Sequence, residues 1–281
     1  MTIRQDALSI KQINGTAAAD LAIVQNQIIE NIERSAISVM LKNQNLSGNP
    51  QSGSVETKRF KNSASAAYGT ARTAAAGVDV SEDKVVIYLD QDKEIVEEIE
   101  HKDVVAYGVA DMLNRRSRNH SGSMIRELDR AFFSTAVTGG TLFTPTVGAT
   151  TLKMKIDEAL VALQTVSNNF VDGVELEDIR LVLSVAGHSL LKNEIITLES
   201  SHITTADGAV GLYAGVPVYV TNRLPVGTQA ILMVRDSIAQ PVLFEEYKVE
   251  EIPLSKAVGV SLFYTYGTKV VTPELVLHLA V

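Results

Sequence analysis

Two strand-like segments joined by a long stretch of small, polar residues constrain this chain more than any other feature in it. VETKRF (Val55 to Phe60) and KVVIYLD (Lys84 to Asp90) carry β-branched and aromatic residues. The first alternates Val55, Thr57, Arg59 against Glu56, Lys58, Phe60, the period of a strand with two unlike faces. Between them lies KNSASAAYGTARTAAAGVDVSED, nearly free of large apolar side chains. Compact domains seldom carry unstructured connections beyond about 12–15 residues unless the loop has a function. A two-stranded ribbon alone is marginal in water. The segment from Ser54 to Glu100 therefore reads as an arm that something outside its own domain holds in place, most simply another copy of the chain.

The rest of the chain can bury a core. It has 281 residues, 46% of them hydrophobic, enough for one or two domains. Aromatics are few and Trp is absent, so the core rests on Val, Ile, Leu and Ala. With no Cys there are no disulfides, thiolate metal sites or Cys nucleophiles, a composition that fits a reducing compartment. The net charge of -8 opposes general nucleic-acid binding, which relies on Lys and Arg displacing phosphate counterions, and opposes anionic membranes for the same reason. Apolar runs such as VVIYL and VSLFY fall far short of the ~20 residues of a membrane-spanning helix. MTIRQDALSIKQ lacks the apolar block of a signal peptide, which argues against secretion by that route.

Along the chain, Leu21, Val24, Ile28, Ile32, Ala36 and Val39 share one face of a helix running from about Thr16 to Asn43. Its apolar face is expected on the chain's own core rather than on a partner. LSGNPQSGS then breaks it. After the arm, Val105, Val109, Met112 and Leu113 begin a stripe that Met124, Leu128, Ala131 and Phe132 resume in phase. One long helix from about Asp103 to Val137 is the preferred reading, its polar middle NRRSRNHSGS facing solvent or a partner; a break near Gly122 is the alternative. Leu152, Ile156, Leu160, Leu163 and Val166 mark a further helix, IRLVLSV a buried strand, and HSLLKNEIITLE a short helix. GVPVYVTNRLP, AILMVRD, PVLFEEYKVEEI, VGVSLFYTYG and TKVVTPELVLHL are mostly strand-like. Helices and strands intermix without a βαβ repeat, so the fold class is α+β with a mixed sheet. Gly211 and Gly215 in GLYAGVP lack the context of a dinucleotide fingerprint and are expected to shape a turn into VYVTN.

Catalytic vocabulary is sparse. There is no zinc-protease motif, P-loop or nucleophile elbow, and the two Ser-x-x-Lys matches, Ser81/Lys84 and Ser189/Lys192, lack companion motifs. No catalytic residue, cofactor site or metal set is expected. The acidic run around Glu97, Glu98, Glu100 and Asp103 could hold a hard cation, but such runs more often form a solvated face or meet a basic patch. Arg115, Arg116 and Arg118 are the one dense basic cluster. In an acidic protein they are read as meeting an acidic segment such as Glu97 to Asp103 of a neighbour rather than nucleic acid.

The order of these parts resembles the major capsid proteins of tailed bacteriophages with the Hong Kong 97-type fold. GLYAGVPVYVTNRLP is similar to that family's Gly, Gly-x-Pro-Val strand and Asn-x-Leu-Pro turn. FYTYGTKVVTPELVLHL is similar to its closing Tyr-Gly, strand, Pro, strand. The resemblance covers essentially the whole chain and rests on the ordered set, each motif alone being degenerate. It implies an N-terminal arm and helix (1–52), an extended β-hairpin loop with its return strand (53–100) and a peripheral domain with a long spine helix (101–149). An axial domain with a mixed sheet (150–260) and C-terminal strands returning to the peripheral domain (261–281) follow.

By the same resemblance the chain is a shell protein, forming hexamers and pentamers of an icosahedral capsid that encloses packaged double-stranded DNA without sequence-specific binding. Arg59, Tyr68 and Arg72 of the arm, with Arg115, Arg116, Arg118, Glu97 and Glu98, are the candidate contacts between subunits. Some relatives carry an N-terminal scaffolding region; the short arm from Met1 has no room for one, so a separate scaffolding protein, alongside a portal protein, is expected. Some relatives cross-link a Lys on the extended loop to a neighbour's Asn. Lys58, Lys61 and Lys84 are available but none lies at the Ala-rich tip, and no cross-linking is expected. An encapsulin-type compartment shell shares the fold and is the nearest alternative. A soluble carboxylate-dependent enzyme is the alternative of another class, although no carboxylate pair stands out with a base to orient.

Overall fold

The strands from residue 179 onward alternate faces so regularly that they fix a three-layer arrangement. Ile179, Leu181 and Leu183 pack to one side of their sheet while Val182 packs to the other; Ala230 and Leu232 oppose Ile231 and Met233; Val216 and Val218 oppose Tyr219. A strand can bury both faces only if each is covered, and here each face has its own helix.

The computed structural model describes residues 25–33, 35–47, 53–63, 65, 67–69, 82–100, 109–195, 211–245, 247–252 and 257–280. In chain order these give α1 (25–33), α2 (Ile37–Leu41), β1 (Ser54–Phe60), β2 (Glu82–Tyr88), β3 (Gln91–Ile99) and α3 (Val109–Gly139). There follow β4 (Thr141–Leu142), α4 (Leu152–Gln164), β5 (Ile179–Ser184), α5 (Val185–Ile195), β6 (Gly211–Tyr213), β7 (Val216–Thr221) and β8 (Thr228–Val234). The remaining strands are β9 (Ile238–Ala239), β10 (Val242–Phe244), β11 (Lys248–Glu251), β12 (Val258–Tyr266), β13 (Lys269–Val270) and β14 (Val276–Ala280).

A six-stranded mixed sheet has the order β4-β14-β8-β5-β7-β6, parallel at β4/β14 and β5/β7 and antiparallel elsewhere. One face packs on α4 and α5 through Ile156, Ala159, Leu163 and Leu191. Thr151 caps α4, its side chain accepting from the Met154 backbone N–H. The other face packs on the C-terminal half of α3 through Phe132, Phe133 and Ala136, the two rings meeting edge to face at 5.4 Å. A second sheet is centred on β12, which pairs along its whole length with β3 on one side and with β10 and β11 on the other. Its inner face, with Ile99, Val260, Leu262 and Tyr264, packs on Met124, Ile125 and Leu128 of α3 and on Ile28 and Ile32 of α1. The long helix thus spans about 46 Å and joins the two sheets, one half on each.

Several expectations change. The N-terminal helix breaks at Ala36, which adopts extended backbone (φ -83°, ψ 123°) and separates α1 from α2. The kink lets Ile28, Ile32 and Ala36 cover one sheet while Leu41 reaches the core of the other. The helix does serve the chain's own core, as expected. α3 is continuous through Gly122, but only one side of its polar middle is solvated, with Arg115, Arg118 and Asn119 exposed. Ser117, His120 and Ser121 are buried beneath the β12 sheet, because that segment turns the same side inward as Met124. The residue boundary at 260/261 falls inside β12, and β14 sits between β4 and β8 in the six-stranded sheet. The expected turn at Gly215 is present: Ala214 (φ 49°) and Gly215 (φ 87°) form the two-residue connection between β6 and β7, where positive φ favours Gly.

Candidate assembly surface

β1 and β2 form the ribbon that the sequence calls for, antiparallel and in unbroken register from Ser54↔Tyr88 to Phe60↔Glu82. Its two faces differ as the alternation predicts. Val55, Thr57 and Arg59 turn inward and are half-buried, while Glu56, Lys58 and Phe60 are exposed. Cross-strand ion pairs Lys84–Glu56 (2.7 Å) and Lys58–Glu82 (2.6 Å) tie the outer face together, each too exposed to contribute much. Phe60 (57% exposed) and Tyr88 (65%) stand on that outer face with no core beneath them.

The ribbon is not held from outside alone, which corrects the expectation that the chain cannot pack it. Ile87 is fully buried against Ala239 and Val271, with Val55 and Leu46 beside them. The Lys269 ammonium donates to the Val86 carbonyl (2.9 Å), and the Leu89 N–H to the Gly53 carbonyl (3.0 Å). Gly267 passes so close to Tyr88 that a Cβ there would lie 1.9 Å from the Tyr88 carbonyl oxygen. Further along, the Arg59 guanidinium pairs with Glu274 and lies 4.2 Å from the centre of the Phe170 ring. The Asn62 N–H donates to the Asn169 carbonyl (2.6 Å). Sequence periodicity missed this anchoring because the anchoring residues come from four distant segments, around 46, 169–170, 239 and 267–274.

The Arg–acid pairing expected between subunits is made within one chain. Arg116 Nε lies 2.6 Å from Glu97 Oε2. His120, almost wholly buried, brings Nε2 to 2.9 Å from the same carboxylate oxygen and Nδ1 to 3.2 Å from the Tyr247 hydroxyl. Burial, and then the Glu97 charge, pushes the Tyr247 phenol well above its ordinary pKa, so it stays a neutral hydroxyl here. This cluster pins the start of α3 to β3 and to the residue before β11. Sequence reading named Glu97 and Arg116 but not His120 or Tyr247, whose only signal was a His on the same side of α3 as Met124. Glu98 points from the opposite face of β3 into solvent, Arg115 and Arg118 are exposed on α3, and Tyr68 is 94% exposed. Arg72 lies outside the described residues. A second buried pair, Asp129 with Arg223, also accepts the Ser38 N–H (3.0 Å) and so fixes α2 against α3.

A model of the phage capsid protein family matches residues 97–277, nearly two thirds of the sequence. The chain belongs to the phage capsid protein family. Solved structures agree on the fold. One from Mycobacterium phage Che8 is 17% identical over 87% of this chain and 90% of its own, with a TM-score of 0.64. The capsid structure of cyanophage P-SCSP1u is 13% identical over 83% and 85% (TM-score 0.62), and the capsid of an empty GTA particle computed with C5 symmetry is 13% identical over 86% and 89% (TM-score 0.59). Comparison with curated protein sequences gives no match. The capsid protein has the Hong Kong 97-type fold expected from the order of its parts, and it is a structural shell protein.

Proposed function

We propose that this capsid protein forms hexamers and pentamers in which the ribbon of one subunit lies on the next. The single observation that carries this reading is the ribbon itself. Its inner face is fixed near the root by Ile87 and near the far end by Arg59, while its outer face offers Phe60 and Tyr88, which no described residue covers. Burying two aromatic side chains of this size against a neighbour is worth several kcal/mol per subunit, and a closed shell repeats the gain at every contact.

In this reading, residues 1–52 are an arm and helix and 53–100 the extended loop and its return strand. Residues 101–149 are the peripheral domain and 150–260 the axial domain; β12 crosses from the latter into 261–281, whose last strand, β14, joins the six-stranded sheet. The shell encloses double-stranded DNA without reading its sequence, is built with a separate scaffolding protein and a portal protein, and is synthesised and assembled in the cytoplasm of the bacterial host. The protein catalyses nothing; its activity is assembly. Size-exclusion chromatography of the purified full chain tests the reading. Capsomers or megadalton particles support it, and a lone monomer at every concentration counts against it.

A further inference from the structure

The layer formed by α3 and the β12 sheet carries opposite charge on its two outer faces. On the helix side, Arg118, Gly122 and Arg126 follow one another at i, i+4 and i+8, with Arg130 one turn beyond. Arg118, Arg126 and Arg130 are exposed, and none forms an ion pair among the described residues. Arg126 rests back over Gly122 and, among the described residues, donates to the Ser123 hydroxyl (3.0 Å). Two carboxylates further along the same helix are engaged elsewhere: Glu127 by Lys93 and the Tyr266 hydroxyl, Asp129 by Arg223.

On the sheet side, the even-numbered residues of β3 face solvent: Asp92, Glu94, Val96 and Glu98. Glu94 and Glu98 pair with no cation among the described residues, and Val96 between them is 60% exposed. Across β12, β11 adds Glu250 and one cation, Lys248, in register with Gly259 and Ser261, so the face remains acidic. Glu94 and Glu98 are four residues apart on a strand, about 13 Å. Arg118 and Arg126 are eight residues apart on a helix, about 12 Å. In each triplet the middle position is uncharged, an apolar side chain on the strand and Gly122 on the helix. The two faces point away from each other and cannot meet within one chain.

We infer that they meet between copies: the Arg118–Gly122–Arg126 face of one subunit seats on the Glu94–Val96–Glu98 face of the next. Arg126 swings off Gly122 to reach a carboxylate, and Val96 covers the small patch it leaves. The contact is heterologous, so it propagates around a closed shell rather than ending at a dimer. It rests on the shell reading above and supplies a contact that does not involve the ribbon.

The chain's lack of Cys makes the test clean. Val96→Cys and Gly122→Cys proteins are made separately, mixed and oxidised; a mixed disulfide dimer, absent from either protein alone, is expected. In parallel, R118E/R126E and E94R/E98R are each expected to reduce particle yield at least tenfold by electron microscopy. Combining all four changes in one chain should recover most of it. Wild-type particles without the mixed disulfide, or no recovery in the combined variant, overturn the contact while leaving the shell reading intact. R118E/R126E shells that form normally but lose packaged DNA overturn it too, making the helix face a phosphate surface. A wild-type chain giving neither particles nor the mixed disulfide overturns both readings.

Discussion

Arg59 of β1 and Glu274 of the turn before β14 pair across the body of the protein, with both side chains largely shielded from water. The same guanidinium lies on the Phe170 ring, so one side chain ties the ribbon to two separate loops. Arg59→Ala is expected to cost about 1 kcal/mol, the sum of a partly shielded ion pair and a cation–π contact. Hydrogen exchange should then accelerate in residues 54–62 and 82–88 and remain unchanged in β5 and β8. Unaltered exchange in the ribbon would mean that the Arg59 contacts do not anchor it.

Gly267 tests the root of the ribbon differently. A methyl group there meets the Tyr88 carbonyl at 1.9 Å, a backbone atom that cannot rotate away. Gly267→Ala should destabilise the chain by about 1–3 kcal/mol and displace β2 from its partners, read by urea unfolding and by protease cleavage within the ribbon.

Phe132 sits wholly buried where the long helix crosses the six-stranded sheet. Phe132→Ala leaves a cavity there and is expected to cost about 3–5 kcal/mol, measured as a shift in the urea midpoint at unchanged slope.

Most of the architecture can be read from the sequence because it depends on local periodicity. Alternation in 55–60 fixes the ribbon faces, the Leu152–Leu163 stripe fixes α4, and Gly215 marks the β6–β7 turn. What could not be read depends on residues brought together from afar. Ala36 breaks its helix because two sheets compete for its neighbours, and no local breaker announces it. Ser117, His120 and Ser121 look like solvent-facing residues in a polar run, yet the phase of Met124 carries them under the β12 sheet. Arg116 and Glu97 read from the sequence as contacts between subunits, yet they pair with each other within the chain, because charge alone does not say where a partner lies.

Four tyrosines respond to alkaline pH in a direction that their surroundings dictate. Tyr264 is pushed up to about 12 by burial and then by the Glu127 charge; Tyr247, Tyr266 and Tyr213 are also raised, burial being the first cause in each. An unfolded tyrosine loses its proton near 10.0, so above that pH the unfolded chain sheds protons that the folded chain retains. Their contribution to stability is complete below pH 10 and is lost as the pH rises through the folded-state values. Ultraviolet titration of tyrosinate should show Tyr213, Tyr247, Tyr264 and Tyr266 lagging until the protein unfolds; loss of all tyrosine protons in one step near pH 10 would disagree.

Negative-stain electron microscopy of the full chain beside a variant lacking residues 63–77 measures the central claim most directly. Closed hollow particles are predicted for the full chain. The deletion should give a soluble protein with the same circular dichroism and no shells, because the ribbon then lacks most of the long connection between its strands. Normal particles from the deletion would contradict the account.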